Sequence, residues 1–436
     1  MVTESVFFIF GLVLKIFTVW FFLTALMFWK KPTPYPRRQP QTRFCCLIAA
    51  RNEERVIGEL VQSLQAQDYP QELYEICVIP NNCTDDTEGA ARLAGARILN
   101  CDLPVRYKGD ALRQALARLA GESFDAFCVF DADNLVSPDY LSRMNDAFLA
   151  GAWVTKARLT TRNPYASWVS GCYTLYFAIF DCFFNRSRSH LGLSAKLVGT
   201  GFCVHRDVLQ KLGGWRTESI AEDAEFAAEL SLSGERVWWV PEAVTYDEAP
   251  QRFGLSLTQR RRWISGIMTV AGLKSGKLLK SLFSGPAYGP TAARGLALSP
   301  VERRVRIRQT LRRVDSLMFL GSPFAQALSV VPVIGFLTCQ VIKGGSAFLA
   351  GGGLLSLLLP IGAGLLAGYV GLAGCGLVLA WAIGHSCRHM VSGILGFPLF
   401  MASWLPLAVL SLFHKTTEWK VIAHGVSAKR AGSIYE

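Results

Sequence analysis

The apolar positions of this chain follow three patterns, and each predicts a different kind of element. Residues 6–29 form an apolar run, interrupted by Lys15, that is long enough to cross a bilayer as a helix. From Phe44 the runs shorten, and stretches such as 44–50, 74–79 and 127–130 are closed at once by polar clusters. Runs this short suit strands buried on both faces of a parallel sheet. Long apolar stretches return at about 317–342, 346–383 and 391–413. The pattern predicts an amino-terminal membrane helix over 1–29, a basic and proline-rich linker over 30–43 and a globular domain over 44–275. A loop and amphipathic helix over 276–315, two to four membrane helices over 316–413 and a tail over 414–436 complete the chain.

Within 44–275 the first strand runs into Arg51, Asn52, Glu53 and Glu54, then a helix to about residue 67. The second ends at Asn81 and is followed by a helix to about residue 94, and Lys108 opens the next helix. Strands alternating with helices at this spacing predict an α/β doubly wound parallel sheet, inserted between transmembrane helices. Residues 168–184 are apolar and aromatic, borderline for a span and better suited to a buried or membrane-surface helix. A glycine-punctuated strand is expected over 197–204, a helix beginning at Ala221, a strand over 237–240, and an amphipathic helix carrying Gln259, the three arginines that follow it, and Trp263. Residues 276–298 read as a loop, and 301–314, with six arginines among apolar residues, as an interfacial helix.

Composition supports two kinds of domain. Hydrophobic residues make up 51% of the chain and mean hydropathy is +0.28, too apolar for an ordinary soluble enzyme. The formal charge of +12 is concentrated near the apolar segments, which points to anionic lipid. Nucleic acid is the competing partner for such a balance, but no basic-aromatic sheet motif or recognition helix is present. Twelve cysteines without a Cys-x-x-Cys pair argue against zinc and against a disulfide scaffold. Lys30, Lys31, Arg37 and Arg38 follow the first span, and Lys415, Lys420, Lys429 and Arg430 follow the last. The positive-inside rule then predicts a multi-pass plasma-membrane protein with residue 30 onward, and the tail, in the cytoplasm. Five spans, or three and a re-entrant segment marked by Pro398 and Pro406, satisfy that orientation.

The candidate chemistry begins at Asp131 and Asp133, which close the strand at 127–130. Ligands of open α/β sheets sit beyond the carboxyl ends of strands. Two carboxylates one residue apart need a neutralising cation, and a hard divalent ion shared with substrate phosphates supplies one. An acidic turn after a strand is the plain alternative. Lys108 and Gly109 open a helix, where a phosphate could bind, or Lys108 is a solvated lysine. Glu222 and Asp223 in a first helical turn could be ordinary dipole partners, and the arginines after Gln259 a membrane-surface contact.

Together these stretches resemble a membrane-embedded glycosyltransferase of family 2, the group containing cellulose, chitin and hyaluronan synthases. The resemblance runs over about 41–270. It rests on Ala50-Arg-Asn-Glu53, Asn82-Cys-Thr-Asp85, Lys108-Gly109, Asp131-Ala-Asp133, Gly199-Thr-Gly-Phe202, Glu222-Asp223 and Gln259-x-x-Arg262-Trp263. Glu418-Trp-Lys420 also looks like the carboxyl end of bacterial members. The resemblance implies a nucleotide-sugar-binding domain of the glycosyltransferase A type and a nucleoside diphosphate sugar, most simply a UDP-sugar, as donor. Asp131 and Asp133 would bind the diphosphate, Asp133 mainly through Mg²⁺ or Mn²⁺, and Lys108 would neutralise phosphate. Glu53 and Asn81 would border the base. Many relatives have Asp where this chain has Asn81, and Thr where it has Ala221.

Asp223 is the implied general base of an inverting, β-forming transfer. Gly201, Phe202, Glu222, Gln259, Arg262 and Trp263 would hold the glycan acceptor. The expected activity is processive synthesis and export of an extracellular β-polysaccharide. Transfer of one sugar to a lipid or short glycan, a transporter with a nucleotide-binding domain, and an inactive scaffold are the rivals. Sugar identity, linkage, oligomeric state and any export partner are not encoded in a short motif.

Overall fold

The computed structural model describes residues 2–284, 300–347 and 353–416. Helix α1 (Val2–Ala25) precedes a central unit with strands β1 (Phe44–Ala50), β2 (Tyr74–Pro80), β3 (Arg97–Ile98), β4 (Ala126–Asp131), β5 (Leu135–Val136), β6 (Val154–Thr161), β7 (Phe202–His205) and β8 (Trp238–Asp247). Its helices are α2 (Ile57–Gln65), α3 (Thr87–Leu93), α4 (Lys108–Arg118), α5 (Tyr140–Leu149), α6 (Trp168–Ile179), α7 (Ser187–Leu191), α8 (Arg206–Leu212) and α9 (Glu222–Ser233). Then follow α10 (Phe253–Ser284), α11 (Pro300–Leu328), α12 (Val330–Ala347), α13 (Gly353–Ala382), α14 (Val391–Ala402) and α15 (Trp404–Phe413).

The eight strands form one sheet in the order β3-β2-β1-β4-β7-β6-β8-β5. Alternation along β1 explains its unbroken apolar run. Phe44, Cys46 and Ile48 pack with Leu60, Val61 and Leu64 of α2, whereas Cys45 and Leu47 pack on the other face with Leu112 and Ala115 of α4. The sheet is parallel through β3, β2, β1 and β4, as expected, but mixed beyond. Strand β7 enters antiparallel beside β4, with Phe202 opposite Val129. The expected strand at 197–204 therefore begins only at Phe202, and the residues before it bend over the carboxyl edge of β4. Strand β8 is longer than expected. Its Pro241 falls in a register shift between Ala157 and Arg158 of β6, after which the strand continues to Asp247.

Among the described residues, Pro300–Gly335, Leu358–Ala382 and Val391–Phe413 are long and apolar enough to cross a membrane, and Phe10–Ala25 is a shorter apolar helix. Residues 276–284, expected in a loop, continue α10. The arginine-rich stretch after 300 is not a separate surface helix but the start of α11. Arg312 donates to the carbonyls of Gly192 (3.0 Å) and Gly234 (3.3 Å) in the central unit, and Arg313 to that of Ser281 in α10 (3.0 Å), so these side chains brace α11 against both. A buried ion pair continues the brace: Arg188 holds Asp315 at 2.8 Å, and Trp20 of α1 donates to the same carboxylate at 2.8 Å. The stretch around Pro360 is one helix over its described length. The last apolar stretch breaks at Ser403, where Pro406 lacks an N–H and its ring opposes the carbonyl of Ala402. The tail motif at 418–420 lies outside the described residues.

Candidate functional site

Three parallel strands end side by side, with Ala50 opposite Pro80 and Ala49 opposite Asp131. The residues just beyond them wall an open cleft of about 1920 Å³, adjoining solvent included. Glu53, Asn81, Lys108, Asp131, Asp133, Glu222, Asp223, Gln259, Arg262 and Trp263 all line it. Residues from far apart in the chain thus converge on one edge of the sheet.

On one side, the Asn81 side chain donates to the carbonyls of Ala50 (3.0 Å) and Ile79 (3.2 Å) and accepts from Arg51 (3.2 Å). Asn52 and Asn82 take left-handed φ of 58° and 50°, a conformation asparagine tolerates. The Glu53 N–H donates to Thr87 at 2.9 Å, which ties this loop to the first turn of α3. At the start of α4, Lys108 Nζ donates to Asp131 Oδ1 (2.5 Å) and to the Gly199 carbonyl (2.6 Å), and stands 3.7 Å from Glu222 Oε1. Burial disfavours its charge, but Asp131 and Glu222 outweigh burial and hold its pKa above the usual lysine range. The opposite balance acts on Glu222. Burial, reinforced by Asp223 and Asp131 and opposed by Lys108, pushes it up to about 8.

The loop before β7 closes the site. Gly199 and Gly201 have φ of 44° and 63°. The Gly199 N–H donates to Asp223 Oδ2, and the Ala224 N–H to Asp223 Oδ1, both at 2.7 Å. Asp223 is therefore fixed in the first turn of α9. Its neighbour Glu225 faces away and binds Lys274 at 3.0 Å. Gly201 and Phe202, expected at the acceptor, do not reach the cleft. A Cβ at Gly201 would collide with the Thr245 hydroxyl, which makes that glycine a packing requirement. Phe202 is buried and stacked against Trp215 with ring centres 6.2 Å apart.

The far wall is aromatic. Trp263 stacks at 6.5 Å on both Tyr176 and Trp404, the latter in α15, and Tyr173 donates to Gln259 at 2.8 Å. Of the arginines after Gln259, Arg262 lines the cleft and makes no hydrogen bond or ion pair among the described residues. Arg260 is neither membrane-facing nor in the cleft. It is buried and donates to the Phe400 carbonyl (2.9 Å) and Ser403 hydroxyl (2.8 Å) at the break between α14 and α15.

Three further lining residues escaped the sequence reading. Asp247 ends β8 at the same edge as Asp131. Asn134 donates to it at 2.9 Å, and burial, Asp133 and Asp131 push its carboxyl well above the usual range. Recognising β8 as a strand past Pro241 was the missing signal. Asp181 lies in a π-helical turn, Phe180–Arg186, that widens the end of α6, and burial pushes it up to about 7. Lys196 is pushed down to about 7 by burial, with Asp223 opposing and Arg188 adding to the shift.

Among the described residues, no three His, Cys, Asp or Glu side chains are arranged to hold a metal ion alone. Asp131 and Asp133 meet the smaller requirement of Mg²⁺ or Mn²⁺, hard oxygen donors for an ion that shares its shell with phosphate.

A family model described as "Glycosyl transferase family group 2" matches residues 126–416. The "Probable glycosyltransferase YdaM" of Bacillus subtilis is 30% identical over 234 residues, covering 50% of this chain and 54% of that protein. The "Beta-monoglucosyldiacylglycerol synthase" of Synechocystis sp. is 30% identical over 236 residues, with 52% and 48% covered. The "Poly-beta-1,6-N-acetyl-D-glucosamine synthase" of Staphylococcus epidermidis is 26% identical over 231 residues, with 50% and 53% covered. The chain thus spans about half the length of the curated relatives it matches. Among solved structures, the fold is similar to that of "Mannosyltransferase PcManGT from Pyrobaculum calidifontis in complex with GDP-Man and Mn2+". The TM-score is 0.50 at 19% identity, covering 93% of this chain and 99% of that one.

Proposed function

The chain belongs to glycosyl transferase family group 2, and on that premise we propose that it transfers a sugar from a UDP-sugar, with inversion, to a hydroxyl presented from the membrane side of the cleft. The observation that carries this reading is the convergence of Asp131, Asp133, Asp223 and Trp263 on one cleft. Glu53 and Asn81 border the nucleotide base. Lys108 neutralises a phosphate oxygen, and the protein's own acceptors for that ammonium, Asp131 and the Gly199 carbonyl, already hold it in position. Asp131 and Asp133 would hold Mg²⁺ or Mn²⁺, which when bound stabilises the charge developing on the leaving diphosphate.

The acceptor hydroxyl gives its proton to Asp223 as its oxygen forms a bond to the anomeric carbon. The carbon–oxygen bond to the diphosphate breaks, and UDP leaves with the electron pair. Attack opposite the leaving group turns an α-linked donor into a β-linked product. Asp223 suits this role, because two backbone N–H groups fix it and, among the described residues, it makes no salt bridge. Glu222 lines the same wall beside Lys108, and Trp263 offers the acceptor a flat face. The catalytic unit faces the cytoplasm, where nucleotide sugars are made and where the basic flanks of the spans should lie.

Transfer of a single sugar is the first reading, since the cleft opens toward membrane-type helices and monoglucosyldiacylglycerol synthases are among the relatives. Chain extension and export of a β-polysaccharide is the second, favoured by Gln259, Arg262 and Trp263 lining the cleft together. Incubating the full-length protein in nanodiscs with labelled UDP-sugars, with and without chelator, tests both. Metal-dependent UDP release is expected, and product length separates the two. Absence of UDP release from every donor would end the proposal.

A further inference from the structure

A second cavity adjoins the cleft. It is an open-sided hollow of about 1010 Å³, outside space included, among α1, α10, α11, α14 and α15. Leu14, Phe17, Phe21, Ile264, Pro323 and Met401 are among its lining residues. Helices α11, α14 and α15 supply segments long and apolar enough to cross a membrane, and Phe10–Ala25 of α1 is a shorter apolar helix, so the chamber is walled by membrane-type helices. Cleft and chamber share Tyr176, Phe180, Lys196, Ile267, Phe319 and Trp404, which form the neck between them. Close packing closes one side of the chamber: a Cβ at Gly321 would come within 2.7 Å of the Phe17 ring.

The lining decides what can occupy the chamber. A polysaccharide would bury a row of hydroxyls and needs matching donors and acceptors. Thr18, Ser322 and Gln326 are the polar side chains the chamber offers apart from those of the neck. An acyl chain needs none. At the neck, Lys196 Nζ stands 4.2 Å from the centre of the Phe180 ring and 4.1 Å from that of Phe319. It makes no hydrogen bond or ion pair among the described residues; the residue's one bond is from its backbone N–H to Asn185, at 3.0 Å. An amine with N–H groups to donate, at the junction of a polar cleft and an apolar chamber, is matched by the ester oxygens of a lipid lying across it.

We propose that the chamber takes the acyl chain of the acceptor, which is therefore a hydroxyl-bearing membrane lipid that enters from the bilayer and sets its ester region at Lys196 and its hydroxyl at Asp223. This rests on the transferase reading above. The lipid hydroxyl loses its proton to Asp223 and bonds to the anomeric carbon, while the bond from that carbon to the diphosphate breaks and UDP departs with the electrons. The chamber supplies affinity through chain burial, worth up to about fourfold per methylene.

The test uses the full-length protein in phosphatidylcholine nanodiscs containing dioleoylglycerol, with a panel of labelled UDP-sugars. Label is expected in the organic phase as a lipid bearing one sugar. With monoacylglycerols of increasing length, acceptor KM should fall with each added methylene until the chamber is full. Ser322→Trp and, independently, Thr18→Trp should raise the lipid KM at least tenfold while UDP affinity, read by calorimetry, stays at the wild-type value and reports an intact fold. Aqueous polymer as the main product, transfer to free glycerol with the same kcat/KM, or no change in both chamber variants would each overturn the inference and leave the transferase reading standing. No UDP release with any donor would remove both.

Discussion

Replacing Asp223 by asparagine separates chemistry from binding. In the folded protein one carboxylate oxygen accepts from the Gly199 N–H and the other from the Ala224 N–H, each at 2.7 Å. The amide keeps one acceptor oxygen, so one backbone N–H loses its partner and the other bond loses its charge. That costs about 1–3 kcal/mol of stability. The kinetic cost is larger. A positioned general base contributes about 10² to 10⁴ in rate, or about 3–5 kcal/mol at 1.36 kcal/mol per decade. Donor binding should survive, because Asp131, Asp133 and Lys108 keep their contacts. Asp223→Asn, purified in nanodiscs, should therefore show a kcat for UDP release lowered about 10²- to 10⁴-fold, with UDP affinity by calorimetry within about twofold of wild type. A kcat within threefold of wild type would refute Asp223 as the base. A parallel collapse of UDP binding would mean that the residue supports the donor pocket instead.

Trp263→Ala should raise the acceptor KM by about two- to tenfold, the worth of an aromatic face, and leave UDP affinity unchanged; a loss confined to the donor side would contradict its place at the acceptor wall. Arg260→Met should lower stability by about 2–4 kcal/mol, because it strips the Phe400 carbonyl and Ser403 hydroxyl of a buried charged donor. Arg262→Met, at a side chain without such bonds, should leave the thermal midpoint in place, and equal losses in both variants would sink the distinction. The last prediction concerns pH. Burial raises Asp181 to about 7 in the folded protein against 3.8 for an ordinary aspartate, so between about pH 4 and pH 7 the native state binds more protons than the unfolded one. Stability from this group is complete below pH 4 and is lost as pH rises through 7. Relative to wild type, Asp181→Asn should grow more stable as pH rises over that window, and parallel melting curves for the two proteins would show that Asp181 does not titrate as argued.

The parallel half of the fold was legible because its signals are local. Strand β1 announces itself as an apolar run closed by polar residues, and the same rule put Asp131 and Asp133 at a ligand-bearing edge. Strand β8 was cut short by Pro241, which a propensity reading treats as a stop, whereas the sheet absorbs it in a register shift. Asp247 was lost with it. Gly201 and Phe202 were assigned to the acceptor with the motif they belong to, but their neighbours Thr245 and Trp215 come from other parts of the chain and decide that both are packing residues. Arg260 and Arg262 are alike in sequence. Only the break at Ser403, a tertiary event, gives one of them a buried carbonyl to hold. The chamber beside the cleft was not legible at all, since its walls come from α1 and from helices more than 240 residues later.

The central claim is that one cleft gathers a metal-assisted diphosphate site and a single base opposite it. The most direct measurement is the anomeric configuration, by NMR, of the sugar transferred from α-linked UDP-sugars, with and without chelator. A β-linked product that disappears with EDTA and returns with Mg²⁺ or Mn²⁺ is expected. An α-linked product, or turnover indifferent to chelation, would contradict it.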